Sequence, residues 1–124
     1  MAFNLFRKKP SPPLGSSDSN NMVRAQLKKL GDNGATTRHV IHYAYPQDGA
    51  DLSLRDALIE HLRADGYEVK DAVHDRGLVL EHYREVASDA FDAMTVELSR
   101  RFAEMGWTYD GWECAVVNEK TATH

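Results

Sequence analysis

Tyr67-Glu68-Val69-Lys70-Asp71-Ala72-Val73-His74-Asp75-Arg76-Gly77-Leu78-Val79-Leu80-Glu81-His82-Tyr83 is the stretch whose reading decides the fold. Tyr67 to Val73 alternates with period two, as a strand with one buried face does. His74-Asp75-Arg76-Gly77 has the composition of a turn, and Leu78 to Tyr83 is again rich in strand formers. Two such runs joined by so short a turn predict an antiparallel hairpin.

Working outward, a helix flanks the hairpin on each side. Upstream, Ser53-Leu54-Arg55-Asp56 opens the first. A serine there accepts from an amide three residues on, and an acidic side chain suits the positive helix end. Leu54, Leu58, Ile59 and Leu62 make its buried stripe, and Gly66 ends it. Downstream, Ser88 to Met105 reads as the second helix, with Phe91, Met94, Thr95, Leu98, Phe102 and Met105 along one face.

A strand lies beyond each helix. Arg38-His39-Val40-Ile41-His42-Tyr43-Ala44-Tyr45 is β-branched and aromatic, and Pro46 and Asp48-Gly49 bound it. Trp107 to Val117 reads as the fourth strand, kinked or bulged at Gly111. The order is strand, helix, strand, strand, helix, strand. That is an α+β, ferredoxin-like pattern: a four-stranded antiparallel sheet with both helices on one face. Val23, Leu27 and Leu30 add a short N-terminal helix over residues 20–30. The second sheet face is left to solvent, a partner or that helix.

The chain has 124 residues, enough for one core. The expected division is a flexible Pro/Ser-rich tail at 1–20, a domain at 21–118 and a polar tail at 119–124. A net charge of −4 gives no general grip on nucleic acid. Cys114, the lone cysteine, has no intrachain disulfide partner, which fits a reducing, cytoplasmic compartment. No apolar run is long enough to span a bilayer. Met1-Ala2-Phe3-Asn4-Leu5-Phe6-Arg7-Lys8-Lys9 has its charge after its apolar patch, the reverse of a secretory signal.

No catalytic or metal-binding pattern emerges. His39 and His42 are three apart on a strand and so point to opposite faces. His42 and His82 sit on neighbouring strands and can meet, but nothing supplies zinc-site spacing. Cys114 has no adjacent base and reads as a small strand residue. Gly31 and Gly34 precede a strand, where phosphate-cradling loops lead into a helix.

The topology also matches the RNA-recognition motif, which stacks bases on aromatics of its third strand. In Arg76-Gly77-Leu78-Val79-Leu80-Glu81-His82-Tyr83 the matching inner positions are Leu78 and Leu80, which have no π face, and Glu81 adds negative charge. Only Tyr83 and His82 favour a single-stranded RNA-binding module.

Tyr109-Asp110-Gly111-Trp112-Glu113 stands apart: two large aromatics, two carboxylates and a glycine in five residues. It reads either as core edge with a bulge at Gly111 or as a tryptophan anchor ringed by acids. Here the chain resembles the RraB family, regulators of ribonuclease E activity. The resemblance covers roughly residues 20–118 and extends back through Gly66-Tyr67-Glu68-Val69, His42 and Gly31-Asp32. It implies a non-catalytic, cofactor-free domain that binds ribonuclease E or its degradation assembly and inhibits RNA cleavage. It also implies a signature surface of Asp110, Gly111 and Trp112 with His42 nearby. The expected partner-binding set is Tyr109, Asp110, Gly111, Trp112, Glu113 and His42. The chain departs from the best-known members in lacking an acidic C-terminal extension. A homodimer through a sheet edge or open face also fits this fold.

Overall fold

β2 (Glu68–Asp71) and β3 (Leu78–Arg84) form the predicted hairpin, with Val69 opposite Leu80 and Asp71 opposite Leu78. β1 (Arg38–Pro46) pairs antiparallel with β3 on one side and with β4 (Trp107–Cys114) on the other. The sheet order is therefore β2-β3-β1-β4. α2 (Arg55–Ala64) links β1 to β2, and α3 (Asp89–Glu104) links β3 to β4. α1 (Ser17–Lys29) precedes the sheet and a short α4 (Glu119–Ala122) follows it. The computed structural model describes residues 14–122. The Phe3/Leu5/Phe6 patch, its basic cluster and the Pro10–Pro13 run lie outside the described residues.

Alternation sorts the strands into two faces. Val40, His42 and Ala44 of β1, Leu78 and Leu80 of β3, and Trp107, Tyr109 and Trp112 of β4 are buried on one side. There they meet Leu58 and Leu62 of α2, Phe91, Leu98 and Phe102 of α3, and Leu27 of α1 in one core cluster. The opposite face carries Ile41, Val79, Glu81 and Tyr83, so Leu78 and Leu80 never occupied stacking positions.

Several boundaries differ from the sequence expectation. α1 begins at Ser17 rather than 20, because the Ser16 hydroxyl accepts from Ser19 N at 3.2 Å and caps the helix. Residues expected to form the end of a loose tail therefore pack: the carbonyl of buried Gly15 accepts from the Thr95 hydroxyl at 2.6 Å. Ser53 does not cap α2. Asp51 accepts from Ser53 N instead and starts a single 3-10 turn, Leu52–Leu54, which turns Leu54 outward to 49% exposure. Ser88, read as the first residue of the second helix, is instead its N-cap and accepts from Phe91 N.

The β2–β3 turn holds backbone strain. Asp75 and Arg76 have φ of 59° and 57°, in a turn closed by Gly77 N donating to His74 O at 3.1 Å. Two left-handed residues at a turn centre favour Asn-Gly. Arg76→Gly is therefore expected to stabilise the fold by about 0.5–1 kcal/mol, read as a higher urea midpoint. Gly77→Ala is expected to act in the opposite direction, because a Cβ there would lie 2.4 Å from the Tyr45 ring.

Candidate functional site

The Tyr109–Glu113 segment sits on β4 where its register with β1 slips, between His42 and Ala44. Gly111 takes φ of 90°, which an L side chain resists, so the glycine permits the bulge. Because of that slip, Tyr109 and Trp112 both point inward, at 4% and 5% exposure. Trp112 is thus a core residue and not an exposed anchor. His42 is fully buried and Gly111 is buried. Asp110 is exposed and Glu113 half-buried, and these two carry the segment to the surface. The Tyr43 hydroxyl donates to the Glu113 carboxylate.

Trp112 is tied to α1. Its indole N–H donates to Asn20 Oδ1 at 2.7 Å. The Asn20 amide donates in turn to Thr95 Oγ1 at 2.8 Å and Asp92 Oδ1 at 2.9 Å, both on α3. Arg24 completes the set, donating to both Asp92 oxygens at 2.8 and 3.0 Å. The indole also meets the Phe91 ring edge-on, with centroids 4.8 Å apart. A fully buried asparagine thus joins α1, α3 and β4, with every amide atom used.

His42 belongs to a second buried chain. Its Nδ1 lies 2.7 Å from the Tyr109 hydroxyl and its Nε2 lies 2.8 Å from His82 Nε2. The expected meeting of His42 and His82 is therefore real, while His39 points to the other face and pairs with Glu81 at 2.7 Å. Among the described residues no group of three or more His, Cys, Asp or Glu is placed to hold a metal. Burial, aided by the charges of His82 and Arg84, holds His42 well below the usual histidine range. Burial, then Arg84 and His39, push His82 down to about 4. Burial raises the Tyr109 phenol well above its ordinary value. His82 opens onto a pocket of 340 Å³ beside Tyr67, Arg84 and Arg101.

Neutral imidazoles set a pH dependence. Their folded pKa values lie below the unfolded value near 6.5, so the unfolded state binds more protons as pH falls. Stability is complete above 6.5 and declines below it, toward about 4 for His82. Enclosed His42 contributes a slope of up to about 1.4 kcal/mol per pH unit, and the more accessible His82 adds a smaller share. Urea unfolding between pH 7 and pH 5 should show this decline, and His42→Gln should flatten it.

A third buried cluster was invisible in the sequence. Asp32 and Arg38 form a bidentate ion pair with both side chains 1% exposed. Asp32 also accepts from Gly34 N and Val117 N, each at 2.9 Å, and Arg38 donates to Ala115 O at 3.1 Å. The pair fastens the α1–β1 loop to the chain leaving β4. Burial opposes ionisation of Asp32, but the bonds from Arg38, Val117 and Gly34 outweigh it and lower its pKa.

These arrangements tie α1, α3, the α1–β1 loop and the sheet together. Their members include four of the residues singled out along the sequence: Asp32, His42, Tyr109 and Trp112. A protein-family model, described as regulator of ribonuclease activity B, matches residues 17–114. The chain belongs to the RraB family. The match begins at the first residue of α1 and ends at the last of β4, so it takes in the Asn20 cluster and the Asp32–Arg38 pair, while Ala115 and Val117, which bond to that pair, lie just past its end. A search of curated proteins finds no match. RraB is a family of regulators and not of catalysts. No described helix is long and apolar enough to cross a membrane.

Proposed function

We propose that this protein is a non-catalytic regulator that binds ribonuclease E, or the assembly around it, in the cytoplasm and lowers RNA cleavage. The RraB match, which takes in the whole sheet with α1 to α3, carries this reading. Within the proposed contact set, Asp110 and Glu113 face the partner. Tyr109, Gly111, Trp112 and His42 act from beneath by fixing the bend of β4.

The test is retention of ribonuclease E by the purified protein at low salt, with RNA cleavage followed in parallel. Retention with slowed cleavage is expected, and no retention at low salt overturns the reading. A single-stranded RNA-binding module is the second reading. Tyr83, 72% exposed, stacks on His39 at 5.0 Å across the two central strands and supports it. Glu68 and Glu81 on the same face oppose it. RNA titrations that leave tyrosine fluorescence unchanged would remove it.

A further inference from the structure

We propose that the sheet face left uncovered by the described helices is the docking surface, and that it receives a basic, apolar peptide segment of the partner. The inference rests on the protein-binding reading above and adds where contact occurs and what chemistry it selects.

Three observations carry it. First, α1 and α3 bury their apolar stripes on the Trp112 side of the sheet. The Asp65–Arg101 ion pair at 2.8 Å ties the end of α2 to α3 on that same side. Second, the opposite face keeps an apolar centre. Ile41 and Val79 are half-buried on the central strands, Tyr43 lies between them, and Tyr83 stands out at 72% exposure. A face this apolar, rimmed by charge, is the usual form of an interaction site.

Third, the described residues give that face a net negative charge. Glu68 of β2, Glu81 of β3 and Glu113 of β4 lie there, and Lys70 is the ammonium among them. Lys70 sits 2.7 Å from Glu81 and 3.5 Å from Glu68, so one cation serves two carboxylates. The arginines of the sheet, Arg38 and Arg84, are register partners pointing to the helix side. Nucleic-acid binding needs cations to replace the phosphate counterions, and this face offers the opposite. A second copy of the chain would place like charges together. A segment mixing arginine or lysine with leucine or phenylalanine satisfies both features. Its cations meet the glutamates and the exposed Tyr83 ring, and its apolar side chains cover Ile41 and Val79.

The test titrates the isotope-labelled full chain with a short synthetic peptide alternating arginine with leucine and phenylalanine. Amide shifts should map to β1 and β3 and weaken as salt rises. Tyr83→Ala and Glu68→Lys, both at exposed positions, should each weaken binding about ten-fold at unchanged Tm. The same variants are then compared for ribonuclease E retention. If wild type and both variants retain ribonuclease E equally, the docking surface is overturned while the regulatory reading stands. If wild type fails to retain ribonuclease E but the peptide still maps to this face through Tyr83, the surface stands and the ribonuclease reading falls. Shifts at Tyr83 produced by poly(U) and not by the peptide, or by raising protein concentration alone, overturn the proposal. So does the absence of any peptide-induced shift.

Discussion

Arg38→Met is expected to lower the unfolding free energy by about 3–5 kcal/mol, because it leaves the Asp32 carboxylate buried without its cation. The side chains concerned are 1% exposed, so water cannot replace the lost guanidinium without opening the structure. Methionine keeps most of the apolar bulk, so the loss reports the charge and not a cavity. Urea unfolding at neutral pH measures it. Adding Asp32→Asn should recover part of the loss, since a carboxamide is neutral and still accepts from the Gly34 or Val117 amide. A single-variant loss below about 1 kcal/mol would place the pair in the range of surface ion pairs and contradict its structural role.

Trp112 gives the second large effect. Trp112→Ala is expected to cost about 3–5 kcal/mol through the cavity against Phe91. Trp112→Phe fills much of that space but leaves the Asn20 carbonyl oxygen without its donor, at a cost of about 1–3 kcal/mol. Asn20 cannot turn away to water, because its amide is held by Thr95 and Asp92. Thermal unfolding of the two variants separates packing from hydrogen bonding. A negligible loss in Trp112→Phe would mean the indole N–H contributes nothing, and equal losses would mean the packing against Phe91 adds nothing to it.

The strands were legible because their period is two and their ends carry turn residues. The ferredoxin-like order, the hairpin about His74–Gly77 and the irregularity at Gly111 all followed from local pattern. Local pattern failed where the deciding partner is remote. Ser53 looked like a cap, yet Asp51 takes that role and Leu54 leaves the core. Leu78 and Leu80 were compared with base-stacking positions, although a shift of one residue exchanges the faces, and Val79, Glu81 and Tyr83 are the outward set. Asn20 offered no signal at all: as a polar residue in an amphipathic helix it reads as solvated. Its partners, Asp92, Thr95 and Trp112, lie 72 to 92 positions away. Arg38 and Asp32 are six apart but meet only because the loop between them turns back. The even balance of aromatics and acids in Tyr109–Glu113 did signal two environments. Which residue faces which way depended on the bulge.

The central claim is that the RraB signature builds the domain from inside while its surface does the binding. The most direct measurement is ribonuclease E retention by Trp112→Phe at a temperature where its folded fraction is known from unfolding. Retention in proportion to folded protein is predicted. Fully folded Trp112→Phe that no longer holds ribonuclease E would contradict the claim.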